Sequence, residues 1–351
     1  MRTPTGLAVF LLALSFGTVA AHAQLEPDPD APPVSTAPAM PVDQTPVATF
    51  HVNVNLVDLF FTVKDKHGEL VPHLTQNDCK IFEDNVQQKL KSFVAENNLP
   101  LTLGILLDTS GSQIRLLPME QEAGSEFLNR VMRPKDEAFL VSFDVNVDLL
   151  QDFTDSPREL AQSLNKAQIN TAGGNGGGIP GLGGGPVPVS TPKGTLLYDA
   201  IYLASTQKLS QETGRKALII LTDGEDEGSK TTLNGAVAAA QRNNVMIYVI
   251  LLADKGFYWS GGMGYYGYSA ARKIADQTGG RLIDVGNNSA KLEAAFEQIE
   301  DELRTQYVAT YTPSDTKLDG TFRHISVDCG KGNKAQVRSG YYAPKGQANG
   351  E

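Results

Sequence analysis

The chain has 351 residues, enough for two modest domains or one large one. Its 40 acidic and 30 basic residues give a net charge of −10, which argues against nucleic acid, because phosphate binding needs clustered Lys and Arg. Hydrophobic residues make up 41%, so a real core can be buried; the N-terminal apolar run is too short to span a bilayer comfortably as an anchor, and no later stretch is long enough for a membrane helix.

Residues 1–23 have the layout of a secretory signal peptide. Arg2 is a short basic n-region, Leu7 to Phe16 an apolar stretch, and Ala21-His22-Ala23 a small-x-small cleavage site. No cysteine follows the apolar stretch, so lipoprotein processing is not expected. The mature chain should therefore be exported, to a periplasm or beyond. Residues 24–49 are rich in proline with small and acidic residues, cannot form a packed core, and read as an extended linker.

Residues 50–98 read as strands. FHVNVNLVDLFFTVK (50–64) is partly alternating and rich in β-branched and aromatic residues. DKHGEL is a turn, and IFEDN with VQQKLKSFVAE is a strand, a turn at Asp84-Asn85 and a further strand. From 99 to 305 strand and helix patterns alternate. Strands are expected at 101–108, 137–144, 146–152, 216–222, 245–252 and 280–285. Helices are expected near 116–132, 156–168, 195–209, 231–243, 268–278 and 289–304. This is the pattern of an α/β, doubly wound, mostly parallel sheet of Rossmann-like type. Residues 306–345 return to strands (QYVATYTP, TFRHISVDC, AQVRSGYY), and 346–351 are a tail.

The simplest assembly inserts the α/β domain in a small β-sandwich-like domain, with N-terminal strands supplying one half and C-terminal strands the other. The alternative is two unrelated β appendages. Cys79 and Cys329 fall one in each half. In an oxidising compartment a disulfide is expected between them, although two buried free thiols are the plainer possibility.

The chemistry concentrates at strand ends. LTLGILLDTSGS (101–112) is a buried strand that opens into a loop at Asp108, with Ser110 and Ser112 following at alternate positions. KALIILTD (216–223) is a second buried strand, ending in Asp223. In open α/β sheets ligands sit beyond the carboxyl ends of the strands. Carboxylate and hydroxyl oxygens suit a hard cation such as Mg²⁺, with Mn²⁺ or Ca²⁺ as alternatives. Thr195 precedes the helical pattern Leu196, Leu197, Ala200, Ile201, Ala204. A hydroxyl there is ordinarily a helix N-cap.

Asp108-Thr109-Ser110-Gly111-Ser112, then Thr195, then Asp223 in LTDG resemble the metal-ion-dependent adhesion site (MIDAS) of von Willebrand factor type A (VWFA) domains. LTDGEDEGS, Gly279-Gly280-Arg281, Gln306-Tyr307 and the closing Ser339-Gly340-Tyr341 resemble the VWFA-related family first described from Acidobacteria, over roughly residues 50–345. The resemblance implies a cation held by Ser110, Ser112 and Thr195, directly or through water, and supported by Asp108 and Asp223. It also implies an acidic side chain of a partner in the remaining coordination position. Gln113 stands where many such sites have methionine.

Two loops flank the proposed face. Ala172–Pro186 is glycine-rich and reads as a spacer or lid. Gly256–Ser269 sets Phe257, Tyr258, Trp259, Tyr265, Tyr266 and Tyr268 among glycines, a composition that fits partner contact, or packing back onto the domain. Asp144 and Asp254 also end strands and read as caps. Glu225, Asp226 and Glu227 read as a solvated acidic rim, with Asp226 able to tune the cation.

Enzymatic signatures are lacking. His22, His51, His67, His73 and His324 form no zinc spacing, and no GxSxG elbow or P-loop is present. The expected function is metal-dependent, adhesion-type binding of a protein or matrix ligand offering a carboxylate. The rival is a structural or assembly subunit of a cell-envelope complex whose metal only stiffens the fold. A metal-dependent phosphatase is a distant third, disfavoured because no basic residue accompanies the motif.

Overall fold

The computed structural model describes residues 56–96, 99–170, 194–253 and 265–346. The signal-like segment, the linker 24–49, the glycine-rich loop 172–186 and Phe257, Tyr258, Trp259 and Asp254 lie outside the described residues.

Four strands come first: β1 (Val57–Lys64), β2 (Lys80–Glu83), β3 (Val86–Gln87) and β4 (Leu90–Glu96). The α/β unit follows, with β5 (Leu101–Asp108), α1 (Leu117–Val131), β6 (Glu137–Phe143), β7 (Val147–Thr154) and α2 (Pro157–Leu164). It continues through α3 (Leu197–Leu203), β8 (Arg215–Thr222), α4 (Leu233–Arg242), β9 (Val245–Leu251), α5 (Gly267–Thr278), β10 (Leu282–Asp284) and α6 (Ser289–Arg304). The chain closes with β11 (Gln306–Tyr311), β12 (Phe322–Asp328), β13 (Lys334–Val337) and β14 (Gly340–Tyr342).

The central sheet has the order β10-β9-β8-β5-β6-β7, parallel except for β7. β5, β8 and β9 are buried along their whole length apart from Lys216, as a sheet covered on both faces requires. Two apolar layers result. One lies under α1, α2 and α6 around Phe127, Phe296 and Tyr248, and the other under α3, α4 and α5 around Phe139, Ile201 and Ile274. The helix expected at 195–209 begins two residues later and passes at Ala204 into a π-helical turn. The one expected at 156–168 ends at Leu164, where Asn165 takes the C-cap position.

The flanking strands form two antiparallel sheets, β13-β1-β11-β4 and β14-β12-β2-β3. They share one core, including Leu59, Phe61, Ile81, Tyr307, Tyr311, Ile325 and Tyr341. Four strands come from each end of the chain, and each sheet mixes strands from both ends. The reason is topological. The inserted unit is entered after β4 and left just before β11, and these two strands pair side by side from Gln306↔Glu96 onward. A disulfide joins Cys79 to Cys329 inside this core. Buried Glu83 accepts the Tyr311 and Tyr341 hydroxyls at 2.8 and 2.9 Å and Arg323 Nη1 at 3.1 Å, which ties both sheets together.

The sandwich meets the α/β unit through charge. Glu302 of α6 is fully buried, with Lys64 Nζ (β1) and Arg281 Nε each 2.9 Å from its Oε1 and Gln336 Nε2 (β13) 3.2 Å from Oε2. Such a cluster holds only while every charge is matched. Glu302→Ala should cost about 3 kcal/mol by stranding Lys64 and Arg281, read as a lower chemical-denaturation midpoint. The disulfide closes a loop of 250 residues, so Cys79→Ser with Cys329→Ser should lower unfolding free energy by about 2–5 kcal/mol. Equal denaturation curves with and without reductant would show that the bond adds nothing.

Candidate functional site

β5 and β8 are direct neighbours, with Leu107 in register with Leu221, while β6 lies on the other side of β5. The strand order therefore reverses at β5, and the crevice at its carboxyl end is the topological switch point. Asp108 is the last residue of β5, and Asp223 follows the last residue of β8.

Asp108 is fully buried. Its Oδ1 accepts the Ser110 amide at 3.0 Å and its Oδ2 accepts the Thr222 hydroxyl at 2.7 Å. The Ser110 and Ser112 hydroxyls are 3.0 Å apart, and Ser112 Oγ donates to Asp223 Oδ2 at 2.6 Å. Asp223 Oδ1 accepts the Glu225 amide at 3.1 Å. Four of the five residues singled out in the sequence thus share one hydrogen-bonded set.

The fifth, Thr195, is brought to the same rim by its backbone. It exchanges two hydrogen bonds of 2.9 Å with Glu227, four residues beyond Asp223. It is not the N-cap of α3, which is Leu196. The first turn of α3 is capped from outside instead. Asp226 Oδ1 accepts the Tyr198 amide at 2.9 Å, and Ser229 Oγ accepts the Asp199 amide at 3.1 Å. Asp199 returns the favour, accepting the amides of Lys230 and Thr231. Glu225 does the same for α5, accepting the amides of Tyr266 and Gly267. The rim expected to be merely solvated therefore fastens two helix N-termini, where carboxylates offset both orphan amides and the helix dipole. Asp144 is a turn cap, accepting Thr109 Oγ1 at 2.8 Å, the Asn146 amide at 3.0 Å and Asn170 Nδ2 at 3.1 Å.

Close approach shapes the loop after β8. Gly224 has φ +83°, and a Cβ there would meet the Gly267 carbonyl oxygen at 2.6 Å. A Cβ on Gly267 would meet the Asp223 carbonyl oxygen at 2.2 Å. Two glycines let the start of α5 lie directly against the metal-side loop.

Acidic groups crowd the carboxyl ends of β5 and β8. Burial, then the neighbouring charge of Asp223, pushes the Asp108 carboxyl up to about 7. Glu120, in the first turn of α1, is fully buried and both its carboxylate oxygens lack a partner. Burial, then Asp108 and Asp223, raise its carboxyl well above the ordinary range. Gln113 is also fully buried. Its Nε2 donates to the Leu252 carbonyl at 3.3 Å, and its Oε1 has no partner. The unpartnered atoms are the Glu120 carboxyl oxygens and Gln113 Oε1, and an ionised carboxylate left unpaired in such a place is costly. A hard cation with its waters would satisfy such a set. Among the described residues no three His, Cys, Asp or Glu side chains gather as a metal site. The donors available are two carboxylates and hydroxyls, which fits Mg²⁺ chemistry and not thiolate or imidazole chemistry.

The α/β unit is a doubly wound, mostly parallel sheet with helices on both faces. Solved structures to which the chain is similar include von Willebrand factor type A from Catenulispora acidiphila, at 11% identity and TM-score 0.45, covering 85% of this chain and 76% of that one. BatB from Bacteroides thetaiotaomicron is similar at 18% identity and TM-score 0.42, covering 58% and 99%. Proximal thread matrix protein 1 from the mussel byssus, in a structure with a zinc-occupied MIDAS motif, is similar at 14% identity and TM-score 0.46, covering 63% and 50%. No family model matches the chain, and no curated protein matches it.

Three residues around this site were not singled out in the sequence. Thr222 directly precedes Asp223 and holds Asp108. Gln113 was noted only as a departure. Glu120 carried a readable signal. Leu116, Leu117, Glu120, Ala123, Phe127 and Leu128 fall on one helical stripe, so a carboxylate stands on the buried face. Among the loop aromatics, the partner-facing reading of Tyr265 is corrected. Its hydroxyl donates to the Asp223 carbonyl at 2.9 Å and its ring packs against the core, because the strand-end backbone beside it needs a donor. Tyr266 is 77% exposed.

Glu120→Gln removes a buried carboxylate that is raised in the folded state. That group costs stability once pH climbs above the ordinary carboxylate range, and costs nothing below it. In chelator, E120Q should unfold about 1–2 kcal/mol later than the parent at pH 8, with no gain at pH 4. Saturating Mg²⁺ should shrink the pH 8 gap. Identical denaturation curves in all three conditions would remove Glu120 from the site's electrostatics.

Proposed function

We propose that the chain is an exported module that binds a protein or matrix partner through a divalent cation at its von Willebrand A site. The observation that carries this is the hydrogen-bonded set of Asp108, Ser110, Ser112 and Asp223 at the switch point, backed by orphaned buried acceptors. Ser110, Ser112 and Thr195 would hold the ion, with Asp108 and Asp223 supporting it. When bound, such a cation supplies a Lewis-acidic position for an outside carboxylate. The chain's own residues prepare that position. Asp108 fixes the turn through the Ser110 amide, Thr222 fixes Asp108, and Ser112 is oriented by Asp223. A shell weighted toward neutral hydroxyls leaves the ion's charge incompletely offset, which favours an acidic partner. The expected export rests on the signal-like first 23 residues, and among the described residues no helix is long and apolar enough to cross a membrane.

Mg²⁺ at a hundredfold excess over its Kd should raise unfolding free energy by about 2.7 kcal/mol. Asp108→Ala should abolish the effect, and an unchanged melting temperature with and without Mg²⁺, Mn²⁺ or Ca²⁺ would end the proposal. Crosslinking with mass spectrometry on envelope fractions then separates the readings. Partner crosslinks lost on chelation and in D108A support cation-mediated binding, whereas crosslinks that survive both place the chain as a structural subunit.

A further inference from the structure

A second feature lies away from the switch point, at the seam between the sandwich and the α/β unit. A cleft of about 810 Å³ opens between the end of β1 with its following turn, α5, the start of β10, and β13. That volume is in the range of sites that hold ligands, roughly 300–1,000 Å³. Its walls carry Lys64, Lys66, Arg272, Arg281 and Lys334 against Asp65 and Asp276. In a chain of net charge −10, this is a concentration of the minority sign. Asp65 accepts the amides of His67 and Glu69 in its own turn, Asp276 pairs with Arg272 at 3.3 Å, and Lys64 and Arg281 pair with Glu302, so the charge offered to a ligand rests mainly on Lys66 and Lys334.

The backbone adds a second observation. β13 is the outermost strand of its sheet; Thr278 bridges Arg338 just past its end and Gly279 packs against Val337, and among the described residues no strand pairs with the outer edge from Lys334 onward. β10 likewise ends the central sheet, so two sheet edges border one basic cleft. In the β1–β13 ladder Lys334 stands directly opposite Lys64. Like charges in that position destabilise a pair unless an anion lies between or beside them. Glu302 serves Lys64 from below. Lys334 is exposed.

We propose that this cleft binds an extended acidic peptide, which adds as a strand to the edge of β13 and sets its carboxylates against Lys334, Lys66 and the neighbouring guanidinium groups. Strand addition explains the open edge, since main-chain hydrogen bonds supply affinity and alternate side chains supply specificity. Residues two apart along a strand share a face about 6.6 Å apart, so acids at alternate positions all meet the basic wall. The site is independent of the cation at Asp108.

The test uses the full mature chain and a fluorescein-labelled peptide, Asp-Val-Asp-Val-Asp-Val, read by fluorescence anisotropy. Saturable binding is expected, unchanged by chelator and by D108A. The double variant Lys66→Glu, Lys334→Glu should weaken it about tenfold or more, and an N-methylated peptide should lose a similar factor. Both lysines are exposed, so an unfolding midpoint equal to the parent's confirms that the variant is folded. Three results would each overturn the proposal. They are no saturable binding, equal affinity in the charge-reversed variant, and equal affinity of the N-methylated peptide, which would mean that charge alone and not strand pairing draws the ligand.

Discussion

The pairing of β5 with β8 is the constraint on which the site depends. It sets two buried aspartates at adjacent strand ends, where neither can shed its charge into water. Such an arrangement is expensive, and the fold meets the cost only in part. Thr222, the Ser110 amide and Ser112 each donate to one of the two carboxylates. Glu120 and the Gln113 carbonyl oxygen then add more acceptors behind them. It is this gathering of acceptors on which the proposal of a small hard cation rests.

Stability elsewhere makes this tolerable. The loop after β8 does not hang free, because its acids fasten the N-termini of α3 and α5. Its conformation is thereby coupled to two helices whose inner faces build one of the apolar layers. Gly224 and Gly267 allow the contact, and Tyr265 closes it from the α5 side.

The sandwich is more than an appendage. Both of its sheets combine strands from the two ends of the chain, alternating in β13-β1-β11-β4 and meeting at β12-β2 in the other. The disulfide and the Glu83 cluster fix it internally, and the Glu302 cluster fixes it to α6. Placing charge at this seam, and leaving the edge of β13 unpaired beside it, turns the junction of two units into a surface with its own chemistry.

Much was legible in the residues themselves. Continuous apolar runs at 101–107 and 217–221 could only be buried parallel strands, and a polar residue at the end of such a strand must lie at the sheet's carboxyl edge. That logic located Asp108, Ser110, Ser112 and Asp223 without coordinates. The helix periods were legible for the same reason, since one face of each must be apolar. What the tertiary structure alone decided was partnership across distance. No local pattern says that Asp226 caps α3 in place of Thr195, that Glu225 caps α5, or that strands from opposite ends pair within each sandwich sheet. Those outcomes depend on which backbone amides are left over once the layers have packed, and that is a property of the assembled fold and not of any one segment.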